Sequence, residues 1–284
     1  MKNKMRYIDV HSHIHDIAFD SDRDTVLTRM EEAGVATIAI GTGLETSKRA
    51  MLCAEQHANV YATVGLHPVD DVLEEFDATA YEVLAQHEKV VCIGECGLDY
   101  HYIETFFEKE KKEKGLTWNK DAEVDRQQCL FIDHIELSVK VGKPLMLHGR
   151  PSPKTMDAYE DMCYILGNAQ KKHGDLVRGN FHFFSGDIKI AQQVLDLGFT
   201  VSFSGVITFT SQYDDVVKYV PLDQMHAETD SPYATPKPFR GERNEPTHVR
   251  EVYKKIAELR GEDENSVRSK LLENAQKSFA IKSL

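Results

Sequence analysis

Histidine and carboxylate side chains recur along this sequence where short apolar runs end. The residues concerned are His11, His13, His67, Glu95, His148, His182 and Asp230. Imidazole and carboxylate groups are typical ligands of zinc and similar divalent ions, and one carboxylate can bridge two ions. Each residue alone has an ordinary structural interpretation, such as a hydrogen-bonded core histidine, an ion-pair partner or a turn residue. Several such groups buried at the ends of neighbouring strands would be costly unless paired or metal-bound, so the joint pattern predicts a metal site.

The apolar runs themselves predict the elements that position these residues. We predict strands at 7–10, 35–40, 60–66, 90–94, 144–147, 177–183, 199–203 and 224–228, with amphipathic helices between them, for example at 25–33, 46–56, 78–87, 187–197 and 212–219. Near-continuous apolar strands alternating with helices are typical of a parallel sheet buried on both faces. Eight such repeats predict one (β/α)8 TIM-type barrel domain over residues 1–284, and a doubly wound open sheet is the alternative. In a barrel, the carboxyl ends of all strands, and hence the seven residues above, meet at one rim.

Residues 101–125 interrupt this rhythm with a stretch rich in Lys and Glu that contains the single tryptophan, Trp118. We interpret it as an insertion after the fourth strand, on the face of the barrel where active sites lie. One or two solvated helices held down by Phe106, Phe107 and Trp118 would fit this composition. The segment would act as a lid or substrate-length filter whose aromatic side chains could stack on bases, or it would pack on the outer wall as a surface hairpin.

Composition restricts the partners and the compartment. The formal net charge of −12 is unlike that of proteins that coat nucleic acid, so nucleic acid would have to be held locally by metals and a few cations. No apolar run approaches the roughly 18 residues of a membrane span, and the N-terminus lacks the apolar region of a signal peptide. The 5 cysteines are odd in number and irregularly spaced, which argues against a disulfide framework. We therefore expect a cytoplasmic monomer with no membrane association.

The residues around the predicted ligands form a series of longer motifs. In order along the chain these are IDVHSHIHD, GLHPVD, IGECGLDY, KPLMLHGR, FHFFSGD, SFSGVITF, HAETDSPY and RGERNEP. In this order, and over essentially the whole chain, they resemble the TatD-like metal-dependent hydrolases, which are deoxyribonucleases within the amidohydrolase-like barrels.

The resemblance implies a two-metal site. One cation would be surrounded by His11, His13, Glu95 and Asp230, and the second by Glu95, His148 and His182, with Glu95 as the bridge. Histidines among carboxylates favour zinc, with manganese, iron or magnesium as further candidates.

The resemblance also implies a reaction. A water activated by two metals would attack a phosphodiester of DNA, and Asp230 would orient this nucleophile and accept its proton, so that Asp230 and Glu95 are the catalytic residues. His67 and Arg150 would contact phosphate, for which the planar guanidinium is suited, although a surface ion pair is an equal alternative for Arg150. Ser204 and Asn244 would line the pocket.

The expected activity is that of a 3′ exonuclease on single-stranded DNA. Because fold and metals do not determine the substrate, another hydrolase on the same barrel is the first alternative, with D-aminoacyl-tRNA deacylation as the case to test. A non-catalytic binding module that kept the fold is the second alternative. The complete ligand set argues against it.

Overall fold

Eight parallel strands form one sheet in which each strand pairs with its neighbours in chain order. The computed structural model describes residues 5–281. The strands are β1 (Tyr7–Ser12), β2 (Val35–Ala39), β3 (Val60–Val64), β4 (Val90–Asp99), β5 (Leu145–Arg150), β6 (Gly179–Phe181), β7 (Thr200–Phe203) and β8 (Met225–Ala227). Just beyond β8, Ser231 forms a parallel bridge with Ser12, and the Asp230 N–H donates to the His11 carbonyl at 2.9 Å. These contacts bring the last strand back to the first, and the predicted (β/α)8 barrel is confirmed.

Helices connect the strands on the outside. They are α1 (Arg23–Ala33), α2 (Leu44–Gln56), α3 (Ala78–Ala85), α4 (Tyr100–Thr105), α5 (Phe107–Lys114), α6 (Lys120–Val141), α7 (Asp157–His173), α8 (Ile188–Asp196), α9 (Asp214–Tyr219), α10 (Val249–Arg260) and α11 (Glu264–Ser278). Local sequence sets their ends: Asn119 accepts from the Ala122 N–H to begin α6, and Gly142 ends it in the left-handed region at φ 68°. Within residues 5–281, none of these helices combines the length and apolar character needed to cross a bilayer.

The inner strand faces carry a small apolar cluster that includes Ile8, Val10 and Ile38. A larger cluster lies between the strands and the helices. The pairing of β1 with β2 is irregular between Asp9 and Ser12, which changes the side-chain alternation. His11 lies within this irregular stretch and is fully buried beside Glu95.

Three strands extend further than their apolar runs predict, and one of them is β1, which continues to Ser12. β4 continues to Asp99 and β5 to Arg150, with Gly97 paired to His148, so Glu95 and His148 lie inside strands rather than after them. β6 is shorter than predicted and ends before His182. Polar residues extend β4 and β5 because their side chains find partners across the barrel mouth, which an apolar pattern does not reveal.

Residues 101–125 form α4, α5 and the first turn of α6. Phe107 is fully buried, and Trp118 is half-buried with its indole N–H donating to Glu123 at 2.9 Å. Phe106 is 48% exposed, so the prediction that it anchors the segment is wrong. It lies at the break between α4 and α5, where its neighbour Phe107 takes the inward position instead.

Candidate metal centre

Glu95 lies at the centre of the barrel mouth and is almost fully buried. Its carboxylate oxygens lie 2.8 Å from Nε2 of His182, 3.0 Å from Nδ1 of His148, 3.4 Å from Nε2 of His11 and 3.7 Å from Nε2 of His67. These histidines belong to β1, β5 and the segments that follow β3 and β6. Four imidazoles from four parts of the barrel therefore converge on one carboxylate.

Asp230 provides a second carboxylate just beyond β8. Its Oδ1 lies 3.5 Å from Nε2 of His13 and 3.7 Å from Nε2 of His11. The rings of His11 and His182 stack with centroids 3.7 Å apart, so the environments of Glu95 and Asp230 are continuous. The structure thus brings all six predicted ligands together at one rim.

Between residues 5 and 281, three sets of ligand atoms lie close enough to hold a cation, with all atoms of a set within 4.8 Å of one another. The sets are His11, His13 and Glu95; His67, Glu95 and His148; and His11, His182 and Asp230. Two of the sets share Glu95. His182 groups with His11 and Asp230, and His67, which the sequence assigned to phosphate, takes a place beside His148.

The donor chemistry fits a divalent cation. Both ring nitrogens of His11 are buried without a hydrogen-bond partner in the described part of the chain. Buried polar atoms are normally satisfied, so an imidazole in this state needs a further partner such as a metal ion. Nitrogen and carboxylate oxygen ligands in this proportion suit zinc, manganese or iron.

Nearby positive charge keeps both carboxylates ionised. Burial acts to raise the pKa of Glu95, but His182 and His11 lower it well below its ordinary value. Burial also acts to raise the pKa of Asp230, and the hydrogen bond from His13 with the charges of His11 and His182 lowers it. Both groups are therefore available as anionic ligands at neutral pH.

Further carboxylates stand behind two of the histidines. Asp70 Oδ1 lies 2.8 Å from Nδ1 of His67, and Asp99 Oδ2 lies 3.2 Å from Nε2 of His148. Burial acts to lower the pKa of His148, yet Asp99 and Glu95 raise it to about 9. Such carboxylates orient ligating histidines. Sequence reasoning missed both, although each lies in a motif, HPVD or GLDY, that it had singled out.

Glu228 is a third carboxylate that lies behind a histidine, in this case His182. It is fully buried, with Oε1 accepting from the Phe183 N–H at 2.7 Å and Oε2 accepting from Ser202 Oγ at 2.5 Å. Oε1 also lies 3.4 Å from Nδ1 of His182. The available signal was the ETD motif, in which Glu228 precedes Asp230 by two residues.

The centre opens into a cavity of about 530 Å³. Its lining residues are His13, Asp16, Thr42, His67, Val69, Asp70, Glu95, Asp99, His148, Gly149, Arg150, His182, Phe183, Asp230 and Tyr233. Arg150 is half-exposed at the edge, 3.9 Å from Asp99, and free to reach a bound anion. Residues 101–125 contribute nothing to the lining, so the segment does not cover the site in this structure.

Residues 8–280 match the sequence model of the family described as TatD related DNase. The chain belongs to this family. It is 35% identical over 277 residues to the Bacillus subtilis metal-dependent hydrolase YabD, covering 96% of this chain and 98% of the relative. The crystal structure of YjjV, a TatD homologue from Escherichia coli, superposes with a TM-score of 0.81 at 27% identity, covering 97% of this chain and 98% of YjjV. A TatD-family hydrolase from Entamoeba histolytica has the same fold, with a TM-score of 0.78 at 20% identity and coverage of 97% and 98%.

Two residues that the sequence placed in this TatD-family pocket do not line it. Ser204 follows β7 and is 3% exposed, because the backbone turns there into a short 3-10 helix. Asn244 is fully buried, and its amide is occupied by backbone partners. The structure therefore corrects the substrate-binding assignment of both residues.

Asn244 instead helps to shape the backbone that presents Asp230. Asp230 has a left-handed φ of 56°. On one side, Asp9 accepts from the N–H of Thr229 at 2.8 Å and from its hydroxyl at 2.6 Å. On the other, Asn244 Nδ2 donates to the carbonyls of Thr229 at 3.0 Å and Tyr233 at 2.6 Å. The catalytic candidate of the TatD-family site is thus held from both sides by buried polar groups.

Proposed function

We propose that this TatD-family chain is a metal-dependent hydrolase that cleaves phosphodiester bonds of single-stranded DNA from the 3′ end. The observation that carries the proposal is the position of Glu95, which belongs to two overlapping sets of ligand atoms. Two-metal sites with a bridging carboxylate are typical of enzymes that cleave phosphate esters. The family description and the name of the Bacillus subtilis relative support the reaction class and DNA as the substrate.

The proposed cofactors are two divalent cations, with zinc favoured and manganese, iron or magnesium as alternatives. His11, His13, Glu95, His148, His182 and Asp230 would hold them, with His67 close enough to join the second set. When bound, the cations would supply Lewis acidity that stabilises the negative charge developing on the transferring phosphoryl group. All of these residues come from one chain, so the proposed site needs no residue from a second subunit. We retain the expectations of a monomer and of a cytoplasmic location.

The chain's own residues have distinct roles in this proposal. The ionised Asp230 carboxylate lines the cavity, where it would orient the attacking water and accept its proton. Arg150 would contact a phosphate oxygen at the rim, because its guanidinium is exposed and its ion pair with Asp99 is long, at 3.9 Å. His67, fixed by Asp70, faces the same cavity and would contact phosphate or a cation.

The test is an assay on single-stranded DNA labelled at the 3′ end, with protein as purified and after chelator treatment. The proposal expects labelled mononucleotide as the first product, its loss with chelator, and its recovery when a divalent metal is restored. Absence of nucleotide release with zinc, manganese, iron and magnesium would refute the nuclease assignment. Release of an amino acid from D-aminoacyl-tRNA in a parallel assay would then assign a different hydrolase.

A further inference from the structure

Two aromatic side chains face the cavity without belonging to the apolar core. Tyr233 is 62% exposed and Phe183 is partly exposed, and both line the cavity beside the candidate metal ligands. Within residues 5–281, neither ring is part of the two apolar clusters or packs on their edges. Exposed rings also occur elsewhere on the surface, so the observation that matters is the position of these two rings in the cavity beside the candidate metal ligands.

The backbone of Phe183 is held in an unusual conformation. Its φ is 47°, in the left-handed region that bulky residues rarely adopt. The N–H of Phe183 donates to the buried carboxylate of Glu228 at 2.7 Å, which fixes the residue directly after the candidate ligand His182. Backbone strain of this kind persists where the surroundings impose it, often at ligand sites. The Glu228 carboxylate, which also faces His182, therefore fixes the backbone that carries the Phe183 ring.

Tyr233 is equally well fixed on the opposite loop. Its N–H donates to the carbonyl of Asp230 at 2.8 Å, and its own carbonyl accepts from Asn244 at 2.6 Å. Its ring lies 6.2 Å from that of His13, at an interplanar angle of 69°. An exposed ring on a rigid backbone loses little conformational freedom when a flat ligand stacks on it.

The charge of the cavity favours contacts that do not depend on phosphate. The lining contains the carboxylates of Asp16, Asp70, Glu95, Asp99 and Asp230. Among the lining residues that the structure describes, Arg150 supplies the one guanidinium, and the whole chain carries a net charge of −12. The lining histidines His13, His67, His148 and His182 each pair with a carboxylate, which offsets their positive charge. The protein's own attraction for phosphate is therefore weak. Stacking between aromatic rings and bases does not depend on net charge and is tolerant of base sequence.

From these observations we propose that Phe183 and Tyr233 form a nucleobase-binding subsite next to the metal centre. The inference rests on the proposed function for its substrate class, a nucleotide unit of DNA. It assigns base stacking to residues that line the cavity, whereas none of residues 101–125 lines it.

The experiment compares two probes, deoxyadenosine monophosphate and deoxyribose 5-phosphate, by calorimetric titration into the protein as purified. The probes share the sugar and phosphate and differ by the base. Wild type should bind the nucleotide more tightly than the sugar phosphate. Phe183→Leu and Tyr233→Leu should each weaken nucleotide binding by about 5- to 150-fold, as expected for loss of one stacking partner, and leave sugar phosphate binding unchanged.

Ring-retaining and remote variants make the test specific. Phe183→Tyr and Tyr233→Phe should keep the preference for the nucleotide. Tyr164→Leu removes another exposed tyrosine, 72% exposed on α7 and outside the cavity lining, and should behave as wild type. Equal binding of the two probes by wild type, or an unchanged preference in both leucine variants, would overturn the subsite.

Failure of the subsite and failure of the proposed function are distinguishable. If the protein cleaves DNA but binds deoxyadenosine monophosphate and deoxyribose 5-phosphate equally, only the subsite is refuted. If wild type prefers the nucleotide, the leucine variants lose this preference, and the protein releases no nucleotide from DNA, the subsite is supported and the nuclease assignment is refuted.

Discussion

Replacing Glu228 with glutamine tests whether a buried carboxylate orients a metal-ligating histidine. Glu228→Gln keeps the size and shape of the side chain, and its amide oxygen can still accept the 2.7 Å hydrogen bond from the Phe183 N–H. What disappears is the negative charge 3.4 Å from Nδ1 of His182. His182 would then lose the partner that selects its ring orientation and raises its basicity as a ligand.

The contact distance decides the size of the effect. Loss of such a partner weakens metal affinity by about 10- to 100-fold, or roughly 1.4–2.8 kcal/mol. A separation of 3.4 Å is longer than an ordinary hydrogen bond of about 2.7–3.2 Å, so we expect the lower end, near 10-fold. Metal affinity is measured by competition with a fluorescent chelator of known zinc affinity, which does not depend on turnover.

The chain offers a matched control in Glu123, another fully buried glutamate. Its carboxylate accepts hydrogen bonds from Trp118, just before α6, and from Arg126 on α6. Neither partner is a candidate metal ligand. Glu123→Gln should lower the free energy of unfolding and leave metal affinity unchanged. Equal metal affinity in Glu228→Gln and wild type, or an equal loss in both variants, would refute the assigned role of Glu228.

Three further predictions concern catalysis, substrate binding and stability. Asp230→Asn should reduce the single-turnover rate on DNA by about 10²- to 10⁴-fold, because an amide cannot accept the proton of the attacking water. The circular dichroism spectrum should be unchanged. A rate near that of wild type would show that another group is the base. Arg150→Ala should raise KM about 5- to 10-fold with kcat nearly constant, and Arg150→Lys should restore part of the loss; a change confined to kcat would argue against a phosphate contact. Burial lowers the pKa of His134 to about 4, compared with about 6.5 in the unfolded chain. Folding therefore favours the neutral imidazole, and the protein loses stability as the pH falls from about 6.5 to about 4. The loss at pH 5 is about 2 kcal/mol. Urea unfolding of wild type and His134→Gln, both with chelator, should therefore diverge in pH dependence below pH 6.5, and parallel curves would contradict the assignment.

The barrel could be predicted because its evidence is local. Eight apolar runs, and a histidine or carboxylate near the ends of six of them, are visible without knowing any contact, and both follow from a parallel sheet whose strand ends meet at one rim. The same local evidence located the ends of β4 and β5 too early. Glu95 and Asp99 continue β4 because their charges are satisfied by His148 across the strand pair.

The supporting groups of the site could not be predicted because their partners are distant in sequence. Asp9 contacts Thr229, which lies 220 positions further along the chain, and nothing in either residue's neighbourhood indicates the other. Asn244 was placed in the pocket from its motif, whereas its position is decided by the carbonyls of Thr229 and Tyr233. Phe106 and Phe107 are adjacent and chemically alike, so only the break between α4 and α5 determines which is buried.

The central claim, that Glu95 is shared by two cations, is tested most directly by anomalous diffraction from crystals grown with zinc or manganese. The account predicts two anomalous peaks, one on each side of the Glu95 carboxylate, at ligand distances of about 2.0–2.3 Å. One peak should adjoin His11 and His13, and the other His148. A single ion at the Glu95 carboxylate, or ions bound away from it, would contradict it.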